Sequence, residues 1–498
     1  MRAKASYLFE KNTYNSSETT GYDFSLKGVP SFDAISGNKS ITSYKSEILA
    51  KNYFGILYFD YKDKYIFDGM ARYDGSSLFG ADARWNPYFR VSGAYRISED
   101  FKIPGIQELK IRAAYGTAGQ RPEFADQYEV MQISGGNVSK SQFGNSKLKP
   151  SLSKEWEAGL TVDFLNRFGL EISRSETNTT DQILTIPLAV QYGGWPNQVQ
   201  NAGTLNSKVW EATLNARIVK TKAISYDINM IFDRIRTKIT ELDAPPFQTG
   251  PQGQEANKCF YIRKGETLGA MYGYKFVKTI DEMQSQLAQG DKIDNYCVNS
   301  DGYVIVKGTE GTIYEAPVKK LDETGKLWFG KIGDSNPKFK LGMTHTFTFK
   351  GLGIYALLEW KNGGDIYNKS AQWLTRDDRH GMMDQYGKPD YLKKTIEYYK
   401  VFYDVNNFNE FWVEDGSYLK LREVSISYTI PSSTLDSFAK GFIKGIKVAL
   451  IGKNLFTVTN YSGYDPEVMT TNNVQYFSYD FMGYPNYRSY SASIEFKF

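Results

Sequence analysis

The chain has 498 residues, 15% of them aromatic, with 37 Tyr and 31 Phe against 2 His and 2 Cys. A net charge of +4 over this length gives no electrostatic footprint for nucleic acid, and His345 and His380 alone do not furnish a histidine-based metal site or triad. Mean hydropathy is −0.47, and no apolar run approaches the ~18 residues of a membrane helix. What remains is a soluble protein or a membrane β-barrel, whose alternating strands hide their apolar content from any window average.

The amino terminus, Met1-Arg2-Ala3-Lys4, has no apolar stretch behind it and does not read as a signal peptide. Either the protein is soluble and cytoplasmic, or the segment that carries an export signal is not in this sequence; the second is the expectation. Ala3–Glu10 and Gly21–Val29 are weak strand candidates. From there the pattern sharpens, and no Pro/Ser-rich linker divides it.

Tyr65, Phe67, Gly69, Ala71 and Tyr73 alternate with Ile66, Asp68, Met70, Arg72 and Asp74. Leu109, Ile111, Ala113 and Tyr115 alternate with Lys110, Arg112, Ala114 and Gly116. The same period of two runs through Trp156–Phe164, Trp210–Ile218, Ile224–Phe232 and Phe339–Phe349. It puts an apolar and a polar face on each segment. Roughly 14 strands are expected, several paired by short turns, such as Tyr53–Tyr61 with Tyr65–Asp74 and Phe339–Lys350 with Leu352–Lys361. Polar faces rich in charge suit a wet lumen. A sandwich would instead divide the chain into units of about 100 residues.

The connections fall into two classes. Some have two to five residues. Others are long: Gln120–Lys154, Glu176–Lys208, Asp243–Pro337 and Lys369–Ser417. Short turns at one end and long loops at the other is the asymmetry of an outer-membrane barrel. Thr279–Gly290 and Pro389–Asp404 read as locally helical within those loops.

One strand changes phase. Leu419 and Leu421 are apolar at odd positions, Val424, Ile426 and Tyr428 at even ones. Either one extra residue near Arg422–Glu423 makes a β-bulge, or Leu419 and Leu421 stand above the membrane edge. The last strand, Tyr487–Phe498, carries Tyr490, Ala492, Ile494, Phe496 and Phe498 on one face. Tyr490, Phe496 and Phe498 are expected to serve as the barrel-end insertion signal.

These segments resemble the SusC/RagA family of TonB-dependent outer-membrane transporters. Tyr65–Gly80 (YIFDGMARYDGSSLFG) is similar to the family's R-x-D-G-S-S-x-F-G strand and loop. Leu109–Gly119 (LKIRAAYGTAG), Leu148–Gly159 (LKPSLSKEWEAG) and Lys264–Tyr274 (KGETLGAMYGY) resemble further family segments in order. Val413–Pro431 (VEDGSYLKLREVSISYTIP), Asn454–Val468 (NLFTVTNYSGYDPEV) and Gly483–Phe498 complete the series. The resemblance implies an all-β transmembrane antiparallel barrel of roughly 22 strands embedded in outer-membrane lipid. It implies TonB-energised uptake of oligosaccharide or oligopeptide, with a SusD-like surface lipoprotein as partner. No stretch resembles the family's signal peptide, amino-terminal extension, TonB box or plug, through which the TonB complex would act. Residues 1–498 therefore read as a carboxy-terminal barrel portion. A passive pore or remnant barrel, and a surface glycan-binding β-protein, stand as alternatives.

No G-x-S-x-G, Walker or H-E-x-x-H spacing is present, and neither an enzyme nor a cofactor is expected. The loop aromatics Tyr192, Trp195, Trp373 and Trp412 are the expected substrate contacts. Asp465-Pro466-Glu467, with Asp480, could hold a cation through carboxylates, against the plainer reading of a solvated acidic loop; no metal is expected. Cys259 and Cys297 share the Asp243–Pro337 insertion, and an oxidising compartment favours a disulfide between them, the alternative being two free thiols.

Overall fold

The fold is described from a computed structural model of residues 1–498, apart from Lys27, Pro30, 80–83, 135–136, Val190, Tyr192, 251–257, 405–406, 432–433, 436–441 and 468–477. Fourteen strands form the main sheet, and their order in the sheet is their order in the chain. They are β1 (Arg2–Gly21), β2 (Lys39–Tyr61), β3 (Tyr65–Ser76), β4 (Trp85–Arg96), β5 (Ile106–Gln120), β6 (Ser151–Phe164) and β7 (Phe168–Thr180). They continue as β8 (Gly203–Lys220), β9 (Ile224–Leu242), β10 (Pro337–Phe349), β11 (Leu352–Gly363), β12 (Tyr418–Ile430), β13 (Gly445–Thr459) and β14 (Ser489–Lys497). The alternation in the sequence is thus the alternation of an antiparallel sheet. No described helix is long and apolar enough to cross a membrane. Among the described residues of Gly21–Val29, Gly21 ends β1 and Phe24 forms an isolated bridge to Ile35, with no further strand.

Two compact units are present: Met1–Tyr95 with Arg112–Trp156 and Thr177–Thr204, and Arg96–Ile111 with Glu157–Glu176 and Leu205–Phe498. In the first, β2 pairs β3 from Tyr61↔Tyr65 to Ala50↔Ser76, as the sequence pattern required. Lys62 and Asp63 close this hairpin at φ of 56° and 54°, the double positive φ of a turn whose twist matches the strands. On the apolar face Tyr7 meets Tyr53 at 5.0 Å between ring centroids, and Tyr73 stacks on Trp85 at 5.2 Å. On the other face Arg90 pairs with Asp68 and Arg72 with Asp74.

In the second unit, β9 pairs β10 (Asp227↔Thr346, Met230↔Met343), and β10 pairs β11 through the Lys350–Gly351 turn. The strands carry little core. Large apolar side chains such as Ile426, Leu450 and Val458 are exposed, as lipid contact requires. The packed interior lies in the insertions instead. Cys259, Phe260, Met271, Tyr274 and Phe276 of the β9–β10 insertion pack with Tyr367, Tyr398, Phe402, Phe408 and Trp412 of the β11–β12 insertion and Tyr479 of the β13–β14 insertion.

Candidate functional site: the cap and its charged root

The three long insertions of the second unit form a folded cap. A four-stranded sheet (Phe247–Thr249, Phe260–Ile262, Ala270–Gly273, Gly330–Asp334) comes from the first insertion. In a three-stranded sheet, Asp365–Asn368 lies between Val413–Asp415 and Tyr479–Asp480. Of the expected helical stretches, Thr279–Gly290 holds α1 (Ile280–Gln284), and Pro389–Asp404 holds a 3-10 turn (Asp390–Leu392) and α3 (Ile396–Lys400); among the described residues the longest helix is α2 (Lys369–Arg376), in which sparse apolar residues gave no periodic signal. Asn368 caps it, its side-chain oxygen accepting from the Ala371 N–H at 2.8 Å.

Inside the cap, two buried carboxylates are satisfied internally, whereas Tyr367 Oη and Gln372 Oε1 are buried without a hydrogen-bond partner among the described residues. Glu315 accepts from the Lys394 ammonium and from Asn299 Nδ2 at 2.9 Å, and its other oxygen accepts from the Gly311 N–H at 2.7 Å. This buried pair joins the first two insertions. Asp480 accepts from the Tyr461 hydroxyl and from Ser370 Oγ at 3.0 Å. Burial nevertheless pushes the Asp480 carboxyl above its ordinary range.

The expected substrate aromatics are dispersed by the fold. Trp412 is 2% exposed, and its indole N–H donates to the Phe402 carbonyl at 2.8 Å, so this ring is committed to the cap core. Trp195, in the other unit, is buried against Phe143 at 5.6 Å. Trp373 is half-buried, with its ring edge-on to Phe481 at 4.7 Å and the Arg376 guanidinium 4.1 Å above it. Tyr192 lies outside the described residues. Tyr490, Phe496 and Phe498 share one exposed face at the end of β14, with Phe442 at 5.4 Å from Phe498.

The two cysteines are not brought together, which corrects the expected disulfide. Both are free. Cys259 is fully buried in the aromatic core, and burial pushes its thiol well up. Cys297 donates to Glu310 Oε1 at 2.9 Å; desolvation and that hydrogen bond push it up to about 11. Shared residence in one insertion carried no information on distance.

At the root of the cap the sequence reading missed a charged cluster. The ladder skips Arg422: on β11 Leu421 pairs Leu358 and Glu423 pairs Leu357, and on β13 Leu421 pairs Phe456 while Glu423 pairs Lys453, so β13 carries an extra residue there too. This is a β-bulge, the first of the two readings of the phase change. It keeps Leu419, Leu421, Val424 and Ile426 on one face and adds a cation to the other. Lys420, 3% exposed, donates to Asp465 at 2.6 Å and Glu467 at 2.5 Å. Arg422 grips both Glu467 oxygens and donates to Glu359 Oε2 at 2.7 Å. The Tyr418 hydroxyl donates to Glu359 Oε1 at 2.7 Å. Burial would raise the Glu467 carboxyl, but the hydrogen bonds and charges of Arg422 and Lys420 outweigh it and hold it at about 2. Asp465-Pro466-Glu467 is therefore neither a solvated loop nor a cation site; it is clamped by the Tyr418–Arg422 strand. Two signals existed, the acidic triplet and the Y-L-K-L-R run, but nothing in either specifies the other as its partner. Among the described residues no group of three or more His, Cys, Asp or Glu side chains is placed to hold a metal.

Below the cap, a polar recess of about 590 Å³ is lined by side chains including Asp163, Asn215, Arg217, Asp227, Thr344 and Thr346. Arg217 Nε donates to Asp227 at 3.2 Å and Asn229 to Asn215 at 2.7 Å. Such a surface offers many weak polar contacts and no nucleophile poised against a base.

The family described as TonB dependent receptor-like, beta-barrel, matches residues 3–455. TonB-dependent receptor P3 of Formosa agariphila is 26% identical over 483 residues, covering 92% of this chain and 46% of that protein. TonB-dependent receptor SusC of Bacteroides thetaiotaomicron is 22% identical over 457 residues, 86% of this chain and 42% of that one. The chain thus spans about half the length of the curated relatives it matches. The solved RagAB peptide transporter superposes with a TM-score of 0.75 at 18% identity, over 99% of this chain and 53% of that one, a likeness of fold. The alternating strands, the clamped motif segments and the match over most of the length converge: the chain belongs to the TonB-dependent receptor-like β-barrel family of the outer membrane.

Proposed function

We propose that this chain supplies barrel wall and extracellular cap to a SusC-like transporter that takes up oligosaccharides or oligopeptides, energised through the TonB complex and served by a SusD-like surface lipoprotein. The observation that carries the reading is the cap. Three insertions fold on one aromatic core at the long-loop end of the strands, and a rigid mouth on a polar-walled barrel suits capture and admission of a large solute. The names of the relatives, SusC and RagAB among them, support the same class of activity. A passive pore has no specific observation in its favour. Deleting the gene in its host and measuring uptake of labelled glycan and peptide oligomers tests the proposal. Loss of uptake for one class, with a surface lipoprotein co-purifying on the tagged protein, is the expected result. Undiminished uptake of every class, or a tagged protein isolated without a lipoprotein, overturns it.

A further inference from the structure

The register across the second unit sets two lysines face to face. Lys340 of β10 lies directly opposite Lys361 of β11, and Lys361 lies opposite Tyr418 of β12. Residues so paired have Cβ atoms about 4.5–5.5 Å apart, and like charges there repel. Both lysines share the strand phase of Thr344 and Glu359, the face of the polar recess and not of the lipid.

Lys361 has no acidic residue opposite it in the sheet. Among the described residues no hydrogen bond or ion pair is made by Lys340 or Lys361, although Lys361 is only 7% exposed. The nearby carboxylates are occupied. Asp365 accepts from the Asp334 N–H at 2.7 Å, Asp415 from the Ser417 N–H and hydroxyl at 3.0 and 2.6 Å, and Glu467 from Lys420 and Arg422. Asp233 stands opposite Lys340 without an ion pair between them. One rung along the same strands, Glu359, Lys420 and Arg422 are fully matched. Wall charge is balanced there, while here one carboxylate, Asp233, faces two ammonium groups.

The unmatched amine is held in place. The Lys361 ammonium lies 5.8 Å from the centroid of the Tyr418 ring, a contact that favours the charged form. Its stem packs on Gly364, where φ is +85° and a Cβ would lie 3.1 Å from Lys361 Cε, so no side chain can displace it. A desolvated stem with an unpaired head, opposite a second cation, is a fixed donor pair for an anion.

We propose that Lys340 and Lys361 form an anion-binding site on the luminal wall at the root of the cap, taking an oxyanion, a carboxylate or sulfate ester, carried by the transported oligomer. That last clause rests on the uptake reading; the site itself rests on the wall. The transported solutes are then acidic: uronate-containing or sulfated glycans, or peptides read through a carboxylate.

The test is acetylation footprinting of the purified full-length protein in detergent, with lysine modification quantified by peptide mass spectrometry. Sodium chloride, sodium acetate and sodium sulfate are compared at matched ionic strength. Acetate stands for a carboxylate and sulfate for a sulfate ester, so the anion that protects identifies the source. At an anion concentration ten times its Kd, acetylation of Lys340 and Lys361 should fall about tenfold, while Lys350 in the turn is unchanged. Lys361→Met should abolish protection of Lys340, and Lys361→Arg should keep it. If Lys361→Met does not assemble, Lys340→Met gives the reciprocal reading at Lys361. Equal protection of Lys340 and Lys350, or protection of Lys340 that survives Lys361→Met, overturns the site. The footprint reads occupancy on the protein, so it stands or falls independently of the uptake measurement.

Discussion

The guanidinium of Arg422, a residue the sheet ladder skips, grips both carboxylate oxygens of Glu467, 45 positions further along the chain. The bulge and the acidic loop are two halves of one lock. Replacing Arg422 by Met leaves Glu359 and Glu467 facing each other with one cation fewer. The expected cost is about 2–4 kcal/mol, below the range for a fully buried pair because Arg422 keeps 18% of its side-chain surface. Limited proteolysis should then cut within residues 460–486 while the barrel persists as a heat-modifiable band. An intact loop in the Arg422→Met protein would show that the lock does not hold it.

The lock has a pH signature. Glu467 is depressed from 4.5 to about 2 in the folded protein, so its contribution is present above the unfolded value and is lost as pH falls through the folded one. Trp373 packs on Phe481 beyond this loop, and its fluorescence should hold steady above pH 4.5 and change between about 4.5 and 2. Glu467→Gln should remove that transition. A wild-type transition that persists in Glu467→Gln belongs to another group.

The bulge also fixes which residues meet lipid. Leu421 and Val424, three apart, share the apolar face, whereas Glu423 between them points to the lumen. Val424→Arg should therefore cost about 2–4 kcal/mol if it lies near the midplane, and Glu423→Ala little. Cysteines placed at 421 and 424 should both resist an impermeant thiol reagent. Labelling of one and not the other would mean a regular strand.

The native thiols should behave as free and unequal. Cys297 should be alkylated without reduction, slowly at pH 8 and faster as pH rises toward 11. Cys259, in the aromatic core, should react only after unfolding. Mass spectrometry of unreduced protein settles it, since a linked peptide pair would restore the disulfide.

The terminal strand invites a simple truncation. Phe496 and Phe498 stack at 6.4 Å on an exposed face, and removing Phe498 should lower outer-membrane abundance of the complete protein. Unchanged abundance and gel migration would remove its role in insertion.

The wall was legible because lipid contact imposes a period of two, and Tyr65–Asp74 or Phe339–Phe349 shows that period without help. The phase change at Arg422 was legible as a change, though only pairing tells a bulge from a strand end. The cap was not legible. Phe260, Tyr274, Tyr367, Phe402 and Tyr479 meet in one core, yet they sit on turns or on strands of two to four residues, too short to show a period. Trp412 looked like a binding residue for the same reason: in a loop, a core aromatic and a ligand aromatic read alike. The Lys340–Lys361 opposition depends on the register of two strands, and the sequence specifies each face without specifying which rungs align.

A cap with its own core changes the thermodynamics of capture. Loops that order around a solute lose backbone freedom on binding, about 1–2 kcal/mol for every residue fixed. Here that freedom is already spent during folding, by Trp412, Tyr398 and the buried Lys394–Glu315 pair. Under the proposed uptake, solute arriving at this mouth would meet a template, with discrimination resting on shape and on charge at fixed positions.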